Sequence, residues 1–371
     1  MHPLLARLRS PPRAVSRLRR RACLGVPRLS IRRLRVTTPR RTTAGLVSAL
    51  GACAALAGCS GDGDALTVYS AQHESLVRTM LEDFTEQTGI ELEFRDANDS
   101  ELANQIVQEG DASPADVFLT ENSPSIDVVD EAGLLAPLDE ATLRQVGERY
   151  RPSSGHWVGF AARSTVLAYN PADVDEAELP ASILDLAAPE WQGRVAIAAG
   201  GADFQAIVSA VLAIEGEEAT REWLTGLERN AEVYASNTAV MKAVDESEVD
   251  VGVMYHYYWY RDQAEGGLVG DDARLHYFRN QDPGAFVSIS GAGVLASSDR
   301  KEDAQRLVAF LTSPAAQERL ADSSALEYAV GDGVASADAL PPLESLQAPD
   351  VDPGSLNAPL VTELMQDVGL L

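Results

Sequence analysis

The feature that most constrains the fold is an alternation of short β-rich runs with segments of helical period, starting at residue 66. Leu66–Ser70 reads as a strand. Residues 75–88 place Leu76, Val77, Met80, Leu81 and Phe84 at helical spacing, and Gly89 stops the run. Residues 90–94 alternate as a strand, 100–109 carry Leu102, Ile106 and Val107 on one helical face, and 116–120 form the next strand. This βαβαβ opening predicts a mostly parallel sheet covered by helices. Strands are also expected at 163–169, 194–199, 249–254 and 287–296, and helices at 203–214, 220–229, 301–312, 315–321 and 360–368. No repeat or low-complexity tract interrupts residues 66–371.

In open α/β sheets, ligands bind beyond the carboxyl ends of strands. Ala71-Gln72-His73-Glu74 follows the first strand, Glu121-Asn122-Ser123 follows the third, and Tyr255-His256-Tyr257-Tyr258-Trp259-Tyr260 follows residues 249–254. Four of the ten tyrosines fall within those last six residues. An isolated aromatic run normally fills a core or an interface, and a lone His73 or Glu121 is normally a solvated side chain. The joint arrival of imidazole, carboxylate and phenols at three strand ends is the informative signal. Phenols stay protonated at neutral pH unless a strongly charged cation stabilises the phenolate. Two phenolates, a carboxylate and an imidazole make an N,O set of charge −3, which balances a trivalent ion. Zinc has less need of phenolates.

The charge of −26 hides two unlike parts. Residues 1–59 hold 13 of the 30 basic residues and no acid, so residues 60–371 carry 17 basic and 56 acidic side chains, a net −39. So acidic a body is unsuited to binding nucleic acid or anionic lipid through charge. Arg40 and Arg41 precede an uncharged run of apolar and small residues at 42–58, which Cys59 ends. That is the form of a secretory signal, too short and too rich in Gly and Ala for a membrane span. Leu56-Ala57-Gly58-Cys59 resembles a lipobox, so Cys59 is the expected lipid-bearing N-terminus and residues 60–64 a polar tether. A signal starting at Val36 has ordinary length, so residues 1–35 are expected to be untranslated. Cys23, Cys53 and Cys59 are the three cysteines, leaving no thiol for catalysis or a soft metal in the mature body. No nucleophile elbow, P-loop or HExxH motif points to an enzyme.

The stretches LTVYSAQHE (66–74), GDASPADVFLTEN (110–122), EAGLLAPL (131–138), RSTVLAYN (163–170), NTAVMKAVDESEVDVGVMYHYYWY (237–260) and FRNQDPGAFVSISGAGVL (278–295) resemble, in order, the ferric-ion-binding proteins of bacterial iron-uptake ABC transporters. The resemblance implies a type II periplasmic-binding-protein fold: two α/β lobes with mostly parallel sheets and hinge crossovers near 163–165 and 288–290. Lobe one is expected to hold residues 65–163 and 289–339, and lobe two 164–288 and 340–371. The implied iron ligands are His73, Glu121, Tyr257 and Tyr258. A synergistic anion, phosphate or carbonate, is implied at Asn122, Gly200-Gly201-Ala202 and Asn237. The turn at 200–202 opens a predicted helix, whose free N–H groups favour anions. Gly200 stands where a serine is common, and Tyr255 where an Asn is common. Arg163 is the carbonate-holding position of other branches; by itself it reads equally as an inter-lobe ion pair. The implied protein is a monomer outside the cell membrane, lipid-anchored and serving an ABC permease. The rival cargo on the same fold is thiamine, a polyamine or a phosphonate.

Overall fold

The computed structural model describes residues 65–267 and 269–371. The signal, Cys59 and the tether lie outside the described residues. Ten strands join one sheet: β1 (Leu66–Ser70), β2 (Leu92–Asp96), β3 (Val117–Leu119), β4 (Leu135–Ala136), β5 (Trp157–Tyr169), β6 (Val195–Ile197), β7 (Ala231–Val233), β8 (Val251–Tyr255), β9 (Arg274–His276) and β10 (Val287–Leu295). Their order is β2-β1-β3-β10-β5-β8-β6-β7, with β4 on β10 and β9 on β5. β1 runs parallel to β2 and β3, and β6 parallel to β7 and β8. β5 and β10 run antiparallel to each other and to their outer neighbours. Parallel ladders thus form the two flanks, and two antiparallel strands cross between them.

Each flank has its own core. Leu66, Val68, Val117, Phe160, Val294, Leu307 and Leu311 belong to the first. Val195, Ile197, Ile207, Leu224, Val251 and Val253 belong to the second. Leu340 and Leu346 pack into the first core, whereas Leu356, Val361 and Leu364 pack into the second, so the chain returns to the second flank at 347–355. β5 starts six residues before the expected strand. Every residue from Trp157 to Tyr169 is buried, so covered faces on both sides remove the period-two signature that marks a half-exposed strand. Gly159 permits this crossing, because a Cβ there would lie 2.5 Å from Ile289 Cγ2 and 2.7 Å from the Tyr150 carbonyl oxygen.

The helix expected at 75–88 is two helices, Glu74–Met80 and Phe84–Thr88, and both bury their apolar residues in the first core. Gly89 ends the second at φ 71°. The aromatic run folds as the helix His256–Ala264, entered directly from β8. Side chains of successive helical residues diverge by about 100°, so one helix aims Tyr257 and Tyr258 at the cleft and Tyr260 elsewhere. No described helix is long and apolar enough to cross a membrane.

Candidate metal centre

Three strand ends converge. β1 delivers His73, β3 delivers Glu121, and β8 delivers the Tyr257-Tyr258 pair. His73 Nε2 lies 3.2 Å from the Tyr257 hydroxyl and 3.3 Å from Glu121 Oε1. The Tyr257 hydroxyl lies 3.3 Å from the same Glu121 oxygen. These atoms form a nearly equilateral triangle. A small octahedral ion with bonds of ~2.1 Å sets adjacent donors about 3 Å apart, so the triangle matches one coordination face. No group of three or more His, Cys, Asp or Glu among the described residues could hold a metal, so an ion here requires the phenols.

The backbone carrying these donors is fixed by buried polar groups that strand spacing does not reveal. Gln72 accepts from the His73 N–H at 2.7 Å and donates to Ser290 Oγ at 2.8 Å. Asp99, 2 % exposed, accepts the backbone N–H groups of Glu121 at 2.8 Å and Asn122 at 3.1 Å. A carboxylate accepting two N–H bonds holds Glu121 at a set position on the end of β3.

The second part of the centre is organised by Asp203. Its Oδ2 accepts from the Tyr258 hydroxyl at 3.1 Å and from Asn237 Nδ2 at 2.9 Å, and its Oδ1 accepts from Asn122 Nδ2 at 3.1 Å. The Tyr257 and Tyr258 rings lie 4.2 Å apart between centroids, which links the two parts. Gly201 caps the helix Ala202–Glu215, and Asp203 lies in its first turn. A negative group is favoured there by the free N–H groups and the helix dipole. The positions read from the sequence as an anion pocket therefore surround a carboxylate of the chain itself. The sequence signal is an acid directly after Gly200-Gly201-Ala202, at the start of the helix expected at 203–214.

Arg163, fully buried on β5, ties the parts together. Its Nη1 lies 3.0 Å from Glu121 Oε1 and 3.9 Å from Asp203 Oδ1, and its Nε lies 3.2 Å from Glu327 Oε2. Nη2 donates to Ser290 Oγ at 2.5 Å and to the Glu121 carbonyl oxygen. Glu121, Glu327 and Ser290 thus surround the guanidinium that the family resemblance offers to carbonate.

The electrostatics favour a highly charged cation. Burial and the charges of Asp203 and Glu121 hold the Tyr257 phenol well above its ordinary pKa, and the same causes raise Tyr258. Burial and Glu121 push Asp203 up to about 7. Burial also works to raise Glu121, but Arg163 and the His73 and Tyr257 hydrogen bonds outweigh it and hold its pKa low. The His73–Glu121 hydrogen bond raises the imidazole against the opposing effect of burial. Both phenols therefore hold their protons at neutral pH, and a multivalent cation is the kind of charge that stabilises a phenolate.

The fold and the site define a two-lobed solute-binding protein. The chain belongs to the bacterial extracellular solute-binding proteins, a family matched over residues 112–353. The Fe(3+)-binding periplasmic protein of Serratia marcescens is 55 % identical over 306 residues, 82 % of this chain and 90 % of that protein. The major ferric iron-binding protein of Neisseria meningitidis serogroup B is 35 % identical over 308 residues, 82 % of this chain and 93 % of that protein. Iron-bound HitA from Pseudomonas aeruginosa has the same two-lobed fold at a TM-score of 0.77 and 41 % identity, covering 82 % of this chain and 99 % of HitA.

Proposed function

We propose that the protein captures ferric iron between its lobes outside the cell membrane and delivers it to an ABC importer. The observation that carries this reading is the donor triangle of His73 Nε2, Glu121 Oε1 and Tyr257 Oη, with Tyr258 and Asp203 beside it. Hard oxygen donors and one imidazole suit iron, and two phenolates with two carboxylates supply four negative charges against a trivalent ion. Arg163 offsets part of the excess. Asp203 takes the place expected of phosphate or carbonate, so the chain supplies its own anion. The rival organic cargo finds no support, because relatives with 55 % and 35 % identity are named for ferric iron.

Loading follows from the residues. Iron displaces the Tyr257 and Tyr258 protons and breaks the Tyr258–Asp203 hydrogen bond, which frees both groups as donors. With His73 and Glu121 on lobe one and Tyr257, Tyr258 and Asp203 on lobe two, a shared ion holds the lobes closed. We assign the hinge crossings to 163–165 and 288–290, and a third to 347–355. The permease reads the closed form, and the lipid on Cys59 keeps the monomeric protein beside it.

The test is colour. Protein given one equivalent of ferric salt turns red-orange from phenolate-to-iron charge transfer. A Tyr257→Phe/Tyr258→Phe variant stays colourless and loses roughly 1,000-fold or more in affinity, above the loss for an outer-sphere partner. A coloured double variant would overturn the assignment.

A further inference from the structure

Glu327 is buried deep in the protein and belongs to no part of the donor set. It is 1 % exposed, and neither carboxylate oxygen has a hydrogen-bond partner. Its ionic contact is the 3.2 Å approach of Oε2 to Arg163 Nε. The chain places it there deliberately. Tyr328 forms an antiparallel bridge with Ala162, with N–H···O distances of 2.9 and 3.0 Å in the two directions. That bridge sets Glu327 beside Arg163, each being the chain neighbour of a bridged residue. Leu326, the residue before, has φ 53°. A left-handed conformation is unfavourable for leucine and persists where surrounding contacts impose it. Tyr328 in turn packs on His256, with ring centroids 4.7 Å apart. The Ser164 N–H donates to His256 Nδ1 at 3.1 Å, and burial pushes this histidine down to about 3, so it contributes no charge. Burial raises the Glu327 carboxyl above its ordinary pKa; among the charges that act on it, Arg163, His73 and Arg261 favour the carboxylate and Glu121 opposes it.

Resting on the ferric reading, we propose that Glu327 is a positioning residue that sets how strongly Arg163 competes with iron for Glu121 and Asp203. Arg163 touches Glu121, a proposed ligand, at 3.0 Å, and lies 3.9 Å from Asp203. An uncompensated guanidinium at that place repels a trivalent ion and draws charge from the Glu121 oxygen that iron needs. Glu327 offsets that charge from the far edge of the guanidinium and leaves Nη1 in its place. Its buried carboxylate is screened little by salt. It also ties the Ala162–Arg163 crossing to the segment at 326–328, so the counter-charge is fixed to the strand that carries Arg163.

The experiment measures iron affinity by competition with a chelator, together with the charge-transfer band, in wild type, Glu327→Gln, Glu327→Asp and Arg163→Gln/Glu327→Gln. Glu327→Gln is expected to bind iron roughly 10–100-fold more weakly, the range for second-sphere partners of metal ligands. Its band moves to lower energy, because iron receives less from Glu121. Glu327→Asp keeps the charge and is expected within about threefold of wild type with the band unmoved. The double variant removes both charges, so affinity recovers toward wild type through a coupling of about tenfold or more. If Glu327→Gln does not fold, the comparison of Glu327→Asp with the double variant decides. Equal, strongly weakened binding in both would overturn the proposal, as would a Glu327→Gln protein with unchanged affinity and band. Wild type without a charge-transfer band would instead overturn the ferric reading itself.

Discussion

The two parts of the centre satisfy their polar groups in opposite ways. In the His73–Glu121–Tyr257 triangle, three donor atoms face one another within 3.2–3.3 Å, and each shares its partners. Around Asp203, one carboxylate collects a separate donor from each of Asn122, Asn237 and Tyr258. The triangle is crowded and gains from a cation. The Asp203 cluster is already content and gives up the Tyr258 bond on loading. On the proposed ferric reading, the first part supplies much of the drive for binding, and the second sets selectivity for a cation strong enough to break it.

Asp203→Ala breaks this comparison most severely. Without the carboxylate, Asn122, Asn237 and the helix N-terminus become an empty anion cradle. Iron affinity is expected to fall about 100-fold or more, beyond the usual second-sphere loss, and added phosphate should recover much of it. Competition titrations with and without phosphate check this; a variant indifferent to phosphate would show that the cradle has no anion role.

His73→Gln tests the triangle. The imidazole pKa is raised from its ordinary value, chiefly through its hydrogen bond to Glu121. Below that raised value His73 binds a proton and cannot ligate, so iron affinity falls as pH drops through it. Glutamine removes this component: affinity falls roughly tenfold, and one fewer proton is taken up on release. Affinity measured from pH 8 to pH 5 gives both quantities. A variant as steep as wild type would place His73 outside the ligand set.

Asp99→Asn is the mildest change. One side-chain atom turns from acceptor to donor against a backbone N–H, which costs about 1–3 kcal/mol of stability. Thermal unfolding of the iron-free protein should shift down by several degrees. An unchanged midpoint would mean that Asp99 does not hold the end of β3.

How much of this was legible depends on which physical signal each residue leaves. The βαβαβ opening was readable because β1, β3 and the helices between them follow the hydrophobic period; His73, Glu121 and the aromatic run at 255–260 were readable as candidates because they stand at strand ends, and the family resemblance singled out Tyr257 and Tyr258 within the run. The break at 81–83 and the early start of β5 were not, since a continuous apolar face and full burial leave no period to interrupt. Gln72, Asp99 and Glu327 were invisible as well. Each works through a contact between chain segments, and a buried carboxylate looks in sequence like any of the 56 acids of this chain. Asp203 stood directly after the expected anion-binding turn at 200–202, but only the geometry shows that it accepts from Asn122, Asn237 and Tyr258.

The most direct measurement is ferric loading followed by visible absorbance in buffer stripped of phosphate, carbonate and citrate. The expected result is one equivalent bound with the full charge-transfer band, and no further change when phosphate or bicarbonate is returned. A band that appears only after an anion is added would contradict a centre completed by Asp203, and no band under either condition would contradict ferric binding by Tyr257 and Tyr258.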